Sequence, residues 1–324
     1  MRVWLVERYG EPEDMVFAER PEPVPGPGEA LIRQRACGLN FFDILQIQGK
    51  YQARPSFPFT VGAEVSGEIA ALGPGVEGLR VGDRVLALPD GGGYAEASVA
   101  RADRIFAIPQ GMSFEQAAAF PLVYQTSWFG LHDRGRLQPG ETVLVHAGAS
   151  GVGAAAIQIA RAHGVRVVAS AGSEAKRAFC RELGAEDVID YLQPDWPERV
   201  KALTGGRGAD VIYDPVGGDV FDQSTKCIAP GGRLLVIGFT SGRIPTIAAN
   251  RALLKNMSVV GVFWGRERDE TPGFVAETHR RLTELWEAGK IRPPVQRTFP
   301  LEQASQALAE LAGRRVCGKL ALTM

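Results

Sequence analysis

Apolar positions in the first 110 residues come in short runs separated by turn chemistry. The segments VWLVERYG, 30–35, 63–72, 83–88 and 95–100 are apolar or alternating, and PEPVPGPGE, LGPGVEG, VGD and DGGGY lie between them. Short strands at this spacing predict a compact, barrel-like β domain. A helix interrupts it near Phe41–Gln48. After Pro109 the texture changes. Ser113 is placed to cap a helix through 117–119, and strand and helix patterns then alternate. Strands are expected at 142–147, 165–170, 188–190, 211–214, 233–238 and 259–263, with helices at 151–162 and 173–183 among them. Continuous apolar strands divided by helices predict a parallel sheet covered on both faces, hence a doubly wound α/β domain. In the tail, Thr271 and Pro272 suit the start of a helix whose apolar face is Phe274, Thr278, Leu282 and Leu285. A helix at 302–312 and a strand KLALTM follow. The expected division is residues 1–117 with 261–324 as the β-rich domain and 118–260 as the doubly wound domain.

Charge narrows the function. Thirty-six Lys+Arg against 37 Asp+Glu give a net charge of −1, which removes the electrostatic footprint of a nucleic-acid binder. No apolar run reaches the length of a membrane span. The opening MRVWLVERYG reads as a strand and has no secretory apolar core, so the expected location is cytoplasmic. Cysteines 37, 180, 227 and 317 form no CxxC pair and have no histidine at ligand spacing, as expected of reduced, mostly buried thiols.

One motif carries chemistry. In ETVLVHAGASGVGAAAIQIAR a buried strand runs into Gly148, Ala149, Ser150, Gly151, Val152 and Gly153, and a helix follows. The spacing is that of GxGxxG, with serine at the second glycine. A tight strand-to-helix turn alone would also use glycine. A second strand about 20 residues on favours a dinucleotide site, with the pyrophosphate on the helix N-terminus. The second strand ends in Val-Ala-Ser-Ala-Gly-Ser, with no carboxylate for a ribose 2′-hydroxyl. Ser170 and Lys176 instead suit a 2′-phosphate, which points to NADPH. Arg177 lies about 100° away around the helix and suits it less.

The domain order, with Ala36-Cys37-Gly38-Leu39-Asn40-Phe41-Phe42-Asp43, Gly62-Ala63-Glu64-Val65-Ser66-Gly67 and Gly82-Asp83-Arg84-Val85, resembles the medium-chain dehydrogenase/reductase superfamily. Within it the whole chain is similar to the zinc-free NADPH:quinone oxidoreductases of the zeta-crystallin-like branch. The resemblance implies a GroES-like catalytic domain, a Rossmann domain with a six-stranded parallel sheet, and a homodimer. It implies no metal: zinc-binding relatives carry Cys where Asn40 stands and His where Ala63 stands, and the structural-zinc loop is missing. Asn40, Asp43 and Tyr51 are then expected near the nicotinamide, Thr126 on its ribose side, and Tyr191 near the adenosine phosphate.

Plainer readings stand beside these. Asn40 and Asp43 suit a helix cap, Tyr51 a loop aromatic on Pro55 or Phe57, Glu64 a paired structural carboxylate, and His146 a core histidine. Leu45 stands where many relatives carry a second tyrosine. The implied activity is reduction of a quinone, or of an activated enone, by hydride from NADPH. An enoyl-thioester reductase and a crystallin-like NADPH-binding protein without turnover are the alternatives.

Overall fold

Alternating segments of the first hundred residues become antiparallel strands, and the apolar runs of the middle become parallel ones. The computed structural model describes all residues, 1–324. The chain forms two units, residues 1–122 with 293–324, and residues 123–292.

The first unit is organised by its longest strand, Glu29–Gly38. One edge pairs with Val65–Leu72. The other edge is shared: residues 29–33 pair with Ala97–Arg101, and residues 36–38 with the final strand Lys319–Thr323. Arg84–Ala87, Ile105–Ala107 and Val295–Pro300 complete a seven-stranded sheet. Its interior is closed by Ile32, Leu39, Ile69, Tyr94, Phe299 and Leu322, all fully buried. The single helix expected near Phe41 runs Phe41–Ile47.

The second unit is a doubly wound α/β domain. Six parallel strands lie in the order Asp187–Ile189, Arg166–Ser170, Thr142–Val145, Ala209–Asp214, Ile228–Val236, Ser258–Gly261. Counted along the chain this is 3-2-1-4-5-6, the Rossmann order, and it places a topological switch beside Thr142–Val145, where such sheets take ligands. Ser258–Gly261 is an edge strand, with Val259 and nearby Phe263 exposed.

The division differs from the expected one at residues 118–122, which lie in the first unit, and after residue 260. Segment 261–292 lies in the second unit because its helix Phe274–Glu287 is fastened there. Phe274 packs edge-on against Phe129, the Val275 carbonyl accepts from Gln125, and Gln158 bonds both backbone groups of Arg292. That helix starts after Gly273, whose φ of 79° suits glycine, rather than at Thr271. Thr271 instead ends a preceding helix, Trp264–Glu270, and its hydroxyl turns back to Glu267. No helix is long and apolar enough to cross a membrane.

Candidate active site

In the second unit, the strand Thr142–Val145 is followed by His146, and Ala147 takes a left-handed φ of 48° to turn the chain. The Gly148 amide then donates to the Ser170 carbonyl at 3.0 Å, which ties the turn to the neighbouring strand. A Cβ on Gly148 would meet Cys180 Sγ at 2.9 Å, so the backbone lies close to the helix behind it. Ala149 is buried. Ser150 caps the helix Gly151–Ala162, its hydroxyl accepting from the Gly153 amide at 3.1 Å. The serine is therefore folded back on the helix. The amides of Gly151 and Val152 head that helix and have no carbonyl one turn back within it. Such amides, with the helix dipole behind them, suit the two negative charges of a pyrophosphate.

The helix Pro121–Trp128, which carries half-buried Thr126, is fastened to the same place. Ser127 Oγ bonds the Val152 carbonyl at 3.1 Å and the buried Tyr213 hydroxyl at 3.0 Å. Neither Ser127 nor Tyr213 stands out in the sequence, because the partner each meets is distant along the chain.

The end of the second strand corrects one expectation. Ser170 is buried and its hydroxyl faces His146 Nδ1 at 2.9 Å, so it is turned away from any ribose phosphate. His146 Nε2 lies 2.8 Å from Ser224 Oγ, which itself donates to the Val220 carbonyl at 2.7 Å. That chain assigns the proton to Nε2 and makes Nδ1 the acceptor. Burial pushes the pKa of His146 down to about 3, so it is a neutral core residue. On the outer side, Ser173 caps the helix Glu174–Glu182, and half-buried Lys176 lies in its first turn. Tyr191 lies over the turn: a Cβ on Gly172 would fall 2.8 Å from its hydroxyl oxygen. Residues 170–173 include no carboxylate. The nearby Asp190 is neutralised by Arg177 at 2.9 Å, and Arg177 also pairs with Glu174. Lys176 is thus a second cation of this turn, one residue before Arg177.

In the first unit, Asn40 precedes the helix Phe41–Ile47 and its backbone amide donates to Asp43 Oδ2 at 2.8 Å. Asp43 is fully buried and also accepts from Tyr94 at 3.1 Å. It is a capping and core residue, closed off from solvent, and does not reach a substrate. Its second oxygen has no hydrogen-bond partner, and burial raises its pKa to about 7 against the opposing pull of the Asn40 amide and Lys319. Burial also holds the Cys37 thiol well above its ordinary pKa, so it stays protonated. Tyr51 is half-buried and packs on Phe42, with ring centroids 5.4 Å apart, rather than on Phe57, which packs on Tyr9.

Asn40 is 7% exposed, and its side chain is held from two sides. Nδ2 donates to Glu64 Oε1 at 2.8 Å, and Oδ1 accepts from Lys319 Nζ at 2.7 Å. Lys319 also lies 2.7 Å from Glu64 Oε1. Lys319 is the functional candidate that the sequence reading missed. Its only signal is a lysine at the head of an otherwise apolar strand.

Comparison with known proteins identifies the family. Residues 26–110 match the alcohol dehydrogenase GroES-like domain, and residues 151–280 match the zinc-binding dehydrogenase domain. The quinone oxidoreductase-like protein 2 homolog of Nematostella vectensis is 40% identical over 92% of this chain and 82% of its own length. The quinone oxidoreductase of Pseudomonas aeruginosa is 37% identical over 97% of each. The chain belongs to the quinone oxidoreductase-like family of medium-chain dehydrogenases/reductases. The crystal structure of Escherichia coli quinone oxidoreductase complexed with NADPH superposes with a TM-score of 0.93 at 30% identity, covering 100% of both chains.

Zinc is implied by the name of one matched domain, and the residues present do not fit it. No group of three or more His, Cys, Asp or Glu side chains is placed to hold a metal ion. Asn40 and Ala63 offer an amide and a methyl, neither of them a zinc ligand. The one carboxylate left, Glu64, is neutralised by Lys319. A tetrahedral zinc needs three or four N, S or O ligands in place of these.

Proposed function

We propose that this protein is an NADPH-dependent reductase of quinones that works without a metal. The observation that carries the reading is Asn40: where zinc relatives place a metal ligand, this chain holds an amide fixed by Glu64 and Lys319. A site with no Lewis acid suits a substrate that is already electrophilic and whose reduced oxygen is delocalised. Quinones have both properties. Bound NADPH supplies a hydride. The protein's own part is to bind, orient and donate hydrogen bonds.

The turn Gly148–Gly153 fits the cofactor's pyrophosphate through the Gly151 and Val152 amides. Lys176 and Tyr191 fit its 2′-phosphate, at a strand end that offers no carboxylate to a 2′-hydroxyl. Ser170, turned inward, takes no part. Thr126 stands on the helix that Ser127 ties to the cofactor turn and lies on the ribose side. Asn40 and Tyr51 face the substrate, the first as a donor and the second as an aromatic wall, while Asp43 holds the helix that Asn40 caps. The proton that completes the product comes from solvent.

The test is NADPH oxidation with a panel of quinones, enones and acyl-CoA thioesters. Turnover with quinones above all others is the expected result. Preference for acyl-CoA would replace this reading with an enoyl-thioester reductase, and tight NADPH binding with a flat panel would make the chain a binding protein.

We infer further that the working form is a homodimer in the cytoplasm. Cys37, Cys180 and Cys227 are buried thiols outside any disulfide, which suits a reducing compartment. The apolar edge strand Ser258–Gly261, with Leu253 and Leu254 exposed on the preceding helix, suits a second copy.

A further inference from the structure

Lys319 opens the strand Lys319–Thr323 and is only 3% exposed, with Leu320, Ala321 and Leu322 fully buried behind it. The backbone fixes its position: its amide donates to the Pro294 carbonyl at 2.9 Å, and the next carbonyl accepts from Leu39 at 3.0 Å. Its ammonium has three hydrogens and three acceptors: the Leu39 carbonyl at 2.5 Å, Asn40 Oδ1 at 2.7 Å and Glu64 Oε1 at 2.7 Å. Glu64, fully buried, receives the Asn40 amide on Oε1 and the Leu122 backbone amide on Oε2 at 3.0 Å. A buried ion pair is tolerated only with its remaining groups satisfied in this way.

The consequence for Asn40 is directional. A side-chain amide can sit in two flips that differ by exchanging oxygen and nitrogen. Here the oxygen faces an ammonium, which only donates, and the nitrogen faces a carboxylate, which only accepts. The opposite flip would set donor against donor and acceptor against acceptor. The orientation is therefore fixed, and one Nδ2 hydrogen remains beyond the one given to Glu64.

We propose that Lys319 is a positioning residue for substrate reduction. With Glu64 it locks the Asn40 amide so that the remaining Nδ2 hydrogen is offered to the carbonyl oxygen of the acceptor. The inference rests on the quinone-reductase reading and names how that oxygen is met. Negative charge grows on the oxygen as hydride arrives at the ring, so the donor matters more in the transition state than in the bound substrate. Its loss belongs in kcat rather than KM.

Lys319→Met alone would leave the Glu64 carboxylate buried without a counter-charge and endanger folding. The test pairs it with Glu64→Gln. The double variant is neutral and similar in size, and its glutamine accepts either flip of Asn40. It is expected to melt cooperatively and to bind NADPH within about threefold of wild type. Its kcat for benzoquinone should fall by about 10- to 100-fold with little change in KM. Asn40→Ala should then cost much less in the double variant than in wild type. A second readout needs no turnover: the side-chain amide signals of Asn40 should be protected from exchange in wild type and lose that protection in the double variant. A folded double variant with wild-type kcat overturns the proposal, as does unchanged Asn40 protection. If wild type reduces no quinone, the functional reading fails by itself. Loss of Asn40 protection in the double variant would then still support the lock.

Discussion

A side-chain carbon on Gly153 would lie 2.3 Å from the carbonyl oxygen of Ala147. The obstacle is backbone, so no rotamer change relieves it, and Ala147 is itself at a φ of 48°. Gly153→Ala is expected to lose about 1–3 kcal/mol of stability by overpacking and to weaken NADPH, because the helix start must move off the turn. Thermal melts and NADPH titration check this, and wild-type values in both would show that the contact relaxes without consequence.

Lys176 and Arg177 are neighbours with opposite expected behaviour. Lys176→Ala should weaken NADPH by roughly 10- to 150-fold, the worth of one charge-assisted hydrogen bond, and leave NADH almost unchanged. Arg177→Ala breaks the pairs to Asp190 and Glu174 and should act on both cofactors alike. Dissociation constants for NADPH and NADH on the three proteins decide it. Equal losses for both cofactors in Lys176→Ala would remove the lysine from phosphate recognition.

The glycine turn and its flanking elements were legible because local sequence dictates them. The helix 151–162 follows from small residues after a capping serine, and the parallel strands from continuous apolar runs. What stayed hidden depends on partners distant in sequence. Ser170 looks like a surface hydroxyl until His146, just past the end of the adjacent strand, is seen to face it. Segment 261–292 shows an ordinary amphipathic pattern, and only Gln125, Phe129 and Gln158 reveal where its face goes. Lys319 reaches Glu64 across 255 positions. No periodicity announces such a pair.

Asp43 gives a pH dependence of definite sign. Its folded pKa of about 7 lies above its ordinary 3.8, so the folded state keeps a proton that the unfolded chain releases. The stability this gives is complete below about pH 4 and is lost as pH rises through 7. Asp43→Asn cannot ionise, so the stability gap between wild type and variant should move in the variant's favour by a few kcal/mol over that range, at about 1.4 kcal/mol per unit. Urea unfolding of both proteins from pH 4.5 to 8 measures the gap, and a constant gap would contradict the assignment.

Purified protein, with no metal added, is expected to carry far less than one zinc per chain and to keep its activity with a chelator. The Lys319 ammonium already neutralises Glu64, the one carboxylate at the position. Elemental analysis showing stoichiometric zinc, lost together with activity, would overturn this.

The exposed edge strand predicts twice the chain mass in solution. Light scattering at micromolar protein that gave only 34.8 kDa would reject the dimer. Val259→Lys should shift the population toward the single chain by placing like charges across a paired edge.

The first unit takes its last strand from the far end of the chain, and this orders events on the ribosome. When Glu64 has been synthesised, Lys319 is still 255 residues away. At about 5–20 residues per second, the wait is roughly 10–50 s. Through that interval the nascent sheet has an open edge along residues 36–38 and a carboxylate with no cation to receive it. The second unit, continuous from 123 to 292, can close while the first is still waiting. A chaperone that acts on this protein during synthesis would thus meet a finished Rossmann domain and an unfinished β domain.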